Sequence, residues 1–105
     1  MSIKVVYNAC FGGFKISREC AVRMAELGNE EAKDLLLESE FYGYLEETPR
    51  HDPALVQAVE ELGDAASVDF SALAVQEISG HRYIIREYDG SEQVIEPEDI
   101  NWIEA

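Results

Sequence analysis

Between Tyr7 and Ser17 the chain reads YNACFGGFKIS, joining a strand-forming run to a helix-capping serine through two adjacent glycines. Such a junction suits an anion. A helix N-terminus offers unpaired N–H groups and about half a positive charge, and glycine lets a ligand approach the backbone closely. Asn8, Cys10, Gly12, Gly13, Lys15, Ser17 and Arg18 are therefore the candidate ligand-binding residues. The named phosphate loops do not fit, because there is no GxxxxGK[ST] and the glycines are adjacent instead of spaced as GxGxxG. The plainer reading is a tight turn with Phe11 and Phe14 tucked into the core.

Cys10, at the end of the strand, could be a thiolate activated by the helix dipole. A phosphatase loop of Cys, five residues and Arg is absent, since Ile16 stands where the arginine would be. His51 or His81 could act as a base, but nothing in the sequence brings either to Cys10. A buried, inert thiol is the simpler expectation, and Cys20, on the apolar face of a helix, is read as core. No catalytic residue is assigned. Cys10, Cys20, His51 and His81 form no CxxC or HxxxH pair, and the acids Glu87, Asp89, Glu92, Glu96, Glu98 and Asp99 lack EF-hand spacing, so neither a metal nor a cofactor is expected.

A second candidate is the stretch YDGSE, where Tyr88, Asp89, Ser91 and Glu92 place an aromatic and two acids on a hairpin tip. This could be a recognition edge for a basic partner, because loops on rigid scaffolds carry binding residues. Hairpin chemistry alone explains the Asp and the Gly.

Charge sets the wider frame. Net charge is −14 over 105 residues. Residues 1–23 hold four bases (Lys4, Lys15, Arg18, Arg23) against Glu19, a net +3, and the remainder holds four bases against 21 acids, a net −17. A field of that sign opposes direct nucleic-acid binding and favours a partner with a basic surface. No apolar run approaches the roughly 20 residues of a membrane span, and the N-terminus shows no secretion-signal pattern. A cytoplasmic protein with free thiols is expected.

The elements that must position these residues are legible from periodicity. Ile3 to Ala9 reads as a buried strand. Ser17 caps a helix with Cys20, Ala21, Met24 and Leu27 on one stripe, stopped by Gly28. Asn29 caps a second helix from Glu30 to about Phe41. Asp52, Pro53 and the stripe Leu55, Val56, Val59 and Leu62 mark a third, stopped by Gly63, with Gln57, Glu60 and Glu61 facing water. The period then falls to two, giving strands over Leu73 to Ile78, Tyr83 to Tyr88 and Ser91 to Ile95. Asp89-Gly90 predicts a type I′ turn that sets Ile84 opposite Ile95, Ile85 opposite Val94 and Glu87 opposite Glu92. Two facing glutamates put that face in water and turn Ile84, Ile95 and Tyr88 to the core. Ile100, Trp102 and Ile103 form an apolar tail expected to pack back on the sheet. The fold class is α+β: a small single domain of one strand, two or three helices and a three-strand antiparallel meander, with the helices on one face of the sheet.

The motifs YNACFGGFKIS, RHDPALVQAVEELG and EYDGSE, in this order, resemble a family of small uncharacterised proteins encoded by bacteriophages and prophages. The resemblance covers most of the chain, with residues 29–49 least matched. It implies a host-cell cytoplasm and an accessory viral role, and carries no catalytic or binding residue with it. The resulting expectation is a non-enzymatic accessory protein that binds a host protein through an acidic surface. The alternative is a small-molecule or anion site, or a Cys-dependent enzymatic one, at the Gly12/Gly13 loop and the following helix N-terminus. Oligomeric state is not written in these residues.

Overall fold

A computed structural model describes residues 2–97. It has the expected α+β order: β1 (Ile3–Asn8), α1 (Arg18–Glu26), α2 (Glu30–Leu37), α3 (Pro53–Leu62), a 3-10 turn (Gly63–Ala66), β2 (Leu73–Ile78), β3 (Ile84–Tyr88) and β4 (Ser91–Ile95). The caps are those the sequence implies. Ser17 accepts a hydrogen bond from Cys20 N, Asn29 from Ala32 N and Asp52 from Leu55 N. Each satisfies one of the donors a helix start leaves open. α2 ends at Leu37, four residues before Phe41, and Leu37 itself is exposed.

Strand pairing departs from the meander. β2 pairs antiparallel with β1, Val6 opposite Val75 and Ile3 opposite Ile78, while β3 pairs, among the described residues, only with β4. The reason lies at the far edge of β1. There Val6 N donates to Arg50 O at 2.8 Å and Asn8 N to the Glu92 carboxylate at 2.9 Å. A loop carbonyl and a side chain thus take the place of a further strand, so the hairpin packs across β1 instead of extending its ladder.

The two-stranded β1–β2 sheet is a middle layer. On one side Val6, Val75 and Leu73 meet the helices around Ile16, Cys20, Met24, Leu55 and Val59. On the other, Val5, Ile78 and Val94 form a smaller cluster with Ile3, Tyr7, Tyr83 and Ile85. Complete burial of side chains such as Met24 and Leu55 contributes about 1.5–3 kcal/mol each. β1 is buried on both faces because each packs against a separate cluster.

The hairpin register is the expected one, and Asp89 and Gly90 both have positive φ (49° and 86°) as a type I′ turn requires. Its orientation is the reverse of the expectation. Glu92 and Val94 are buried, whereas Ile84 is 48% and Tyr88 80% exposed. The two-glutamate argument fails because Glu92 meets a guanidinium and a backbone amide inside, leaving Glu87 in solvent. The tail residues Ile100, Trp102 and Ile103 lie outside the described residues, as do Glu98 and Asp99.

Candidate functional site

The three sequence motifs converge on one buried polar centre. Asn8 ends β1 with its side chain completely buried. Its Nδ2 donates to Cys10 O at 2.7 Å and Gly90 O at 2.8 Å, and its Oδ1 accepts from Ala72 N at 2.8 Å and Cys10 N at 3.3 Å. One side chain therefore ties the glycine loop, the start of β2 and the hairpin turn together. Beside it Arg50, two residues before the α3 cap, forks onto Glu92, Nη1 to Oε1 at 2.6 Å and Nη2 to Oε2 at 2.9 Å. The same guanidinium lies 3.6 Å from the ring centroid of Phe14. Bidentate, charge-assisted bonds with an aromatic face beneath are the arrangement an arginine holds best. Among the described residues no buried side-chain polar atom lacks a partner. The centre is saturated by its own chain, which makes it a lock between segments.

The glycines serve that lock. Gly12 N donates to Phe70 O at 2.7 Å, and a Cβ on Gly12 would lie 2.1 Å from that oxygen. A Cβ on Gly90 would lie 1.9 Å from Phe11 O. Gly13 has φ +89°. Phe14 packs against the core, as the tight-turn reading expects, but Phe11 is 65% exposed and pairs with Phe70, which is 64% exposed. Phe11 lies outside the interior, with its own carbonyl abutting Gly90 of the hairpin turn.

Of the remaining ligand candidates, Ser17 is buried, bonded to Cys20 N and to Ala65 O. Lys15 and Arg18 lie over Tyr44 and Phe41, at 5.8 and 5.9 Å from the ring centroids. The structure gathers Asn8, Cys10 and Gly13 around the hairpin turn, sets Gly12 against Phe70, and leaves Lys15 and Arg18 on the side of the 38–44 connection. Cys10 is half-buried and free; Cys20 is completely buried, and that burial pushes its thiol up to about 12. His51 Nδ1 lies 2.7 Å from the Tyr83 hydroxyl, its ring edge-on to Tyr83. Among the described residues no group of three or more His, Cys, Asp or Glu side chains is placed to hold a metal ion. No helix there is long and apolar enough to cross a membrane.

On the partner-binding candidates the structure splits. Tyr88 and Asp89 stand exposed at the tip, Ser91 is half-buried and Glu92 belongs to the interior lock. The electropositive N-terminal segment is also reduced. Lys4 pairs with Glu60 at 2.8 Å and Arg23 with Glu61 at 2.6 Å, both acids on α3. Lys33 pairs with Glu30 and Arg50 with Glu92.

A further acidic surface lies on the segment between α1 and α3. Residues 29–49 hold seven acids against Lys33. Glu31 accepts the backbone N–H groups of Glu46, Glu47 and Thr48 at 2.6, 2.9 and 2.8 Å, folding that connection back on α2. Burial pushes the Glu31 carboxyl up, yet these hydrogen bonds together outweigh it and leave the group below its ordinary value. The fold-back forms a hollow of about 310 Å³ lined by Asp34, Glu38, Tyr42, Tyr44, Glu46 and Glu47 among others. The charge run was its only sequence signal; the three amides that gather it are invisible there. Arg50 was equally hidden, having nothing before it to mark its partner.

Comparison of the chain with protein-family models, curated proteins and solved structures finds no match.

Proposed function

We propose that this chain is a non-enzymatic accessory protein, of the kind phages supply, that engages a host protein with a basic surface through its own acidic exterior in the host cytoplasm. The observation that carries this reading is the disposition of charge. Among the described residues four of the eight cations are held in ion pairs. Asp34, Glu38, Glu46 and Glu47 meanwhile line one hollow with no ion partner among the described residues. Two tyrosines, Tyr42 and Tyr44, stand exposed in the same hollow. Aromatic rings beside unpaired carboxylates suit a cationic protein surface, and the negative field would speed its approach. The same field works against a phosphate backbone.

The alternative anion or thiol site finds less support, since Asn8, Gly12 N and Ser17 already have partners within the chain. The test is equilibrium binding to a host protein captured on the immobilised chain, measured from low to physiological salt. Affinity should fall steeply as salt rises; an unchanged Kd contradicts the reading.

A further inference from the structure

The lock described above leaves one feature outside itself. Phe11 and Phe70 are about two-thirds exposed, with ring centroids 5.5 Å apart and planes inclined at 42°. Phe70 holds φ at +66°, a region non-glycine residues rarely occupy. It is kept there by the Gly12 N–H on its carbonyl and by the turn behind it, in which Ser71 N donates to Val68 O and Val68 N to Ser71 Oγ. Backbone strain that presents an aromatic ring to water, instead of burying it, is a mark of a surface kept for contact.

Two acids lie next to these segments in the chain. Asp69 precedes Phe70, and Asp89 precedes Gly90, whose backbone abuts the Phe11 carbonyl. Both are exposed and neither has an ion partner among the described residues. An exposed aromatic pair with exposed acids next to it or to its Gly90 contact in the chain fits one side-chain chemistry best. A guanidinium stacks on a ring and forks onto a carboxylate at once, while an ammonium is more tightly hydrated and cannot present a planar face.

We propose that Phe11 and Phe70, with Asp69 and Asp89, form a platform for an arginine side chain of the basic protein partner. This rests on the proposed function and specifies a point of contact for it.

The test is fluorescence anisotropy with the intact chain and two labelled probes of equal length and charge, one an arginine–glycine peptide and the other its lysine–glycine counterpart. The wild type should bind the arginine peptide about two- to five-fold more tightly, the range of an exposed cation–π contact. Phe70→Gly, which relieves the positive φ, and Phe11→Ser should each abolish that preference while leaving lysine-peptide affinity in place. Equal binding of the two peptides by the wild type, or a preference that survives in both folded variants, overturns the platform and leaves the acidic-surface reading standing. Absence of binding by both peptides at low salt overturns both.

Discussion

Arg50 and Glu92, 42 residues apart in sequence, are joined by a bidentate ion pair that also takes up the free amide of Asn8. One carboxylate thus closes the edge of β1, anchors the start of α3 and fixes which face of the β3–β4 hairpin is inside. The residues of the three sequence motifs meet here as structure. The chemistry available to a partner lies outside, on the acidic hollow beside α2 and on the exposed rings.

Removing either partner should therefore be costly. Leaving a buried charge unpaired costs about 3–5 kcal/mol, and because the Arg50 side chain is 23% exposed the lower end, about 3 kcal/mol, applies to Glu92→Gln. Thermal melting should fall by about 12 °C, at about 4 °C per kcal/mol for a domain of this size. Arg50→Met combined with Glu92→Met should be less damaging than the sum of its parts. A Glu92→Gln variant melting within about 2 °C of the wild type would contradict the lock.

Glycine substitutions should separate close approach from conformation alone. At Gly12 and Gly90 an added Cβ meets backbone atoms at 2.1 and 1.9 Å, so Gly12→Ala and Gly90→Ala force the loop and hairpin apart. Each should lose about 3 kcal/mol or more, above the usual 1–3 for overpacking. Gly28 has φ +100° and open space around it, so Gly28→Ala should cost only about 1–2 kcal/mol. Denaturant titration orders the three; a Gly90→Ala variant no less stable than Gly28→Ala would remove the clamp.

Thiol labelling should be two-phased. Cys20 is fully buried and its thiol is raised to about 12 by that burial, whereas Cys10 is half-buried. In native buffer Cys10 should label first, and Cys20 only as the protein unfolds, in step with circular dichroism. Labelling of Cys20 in the folded state would contradict the packing of α1.

Acid should weaken the α1–α3 contact in a defined window. Glu61 accepts hydrogen bonds from Arg23 at 2.6 and 3.1 Å and from Gln57 at 2.9 Å, and these bonds lower its carboxyl from 4.5 to about 2. A carboxylate depressed by folding stabilises fully above its unfolded value and loses that contribution as pH falls through the folded one. The Tm advantage of the wild type over Glu61→Gln should be constant above about pH 5 and shrink between 4.5 and 2. The background trend has the opposite sign at first, because protonating other acids relieves self-repulsion in a chain of charge −14. An advantage unchanged down to pH 2 would contradict the pairing.

Local signals were legible and long-range ones were not. Ser17, Asn29 and Asp52 cap helices as their types and spacing require, and Asp89-Gly90 fixes the hairpin register, because each depends on residues within one turn. The face of the hairpin depends on Arg50 reaching Glu92 from across the fold, which no periodicity encodes. β1 to β2 pairing likewise joins residues 65 to 75 apart, and the meander expectation came from adjacency alone. At the site, the Asn8 to Gly12 loop and the hairpin tip were each picked out, but their contact through Gly90 and Phe11 was not. The acidic hollow needed the three amides around Glu31 to turn a charge run into a surface.

The most direct measurement is the association rate of a captured host protein with the immobilised chain at increasing ionic strength. It is made for the wild type and for a variant carrying Asp34→Asn, Glu38→Gln, Glu46→Gln and Glu47→Gln. An acidic exterior that recruits a basic partner predicts a wild-type rate that falls steeply with salt, a flatter dependence in the variant and dissociation rates that change little. A wild-type association rate independent of salt, or an identical salt dependence in the two proteins, would contradict the account.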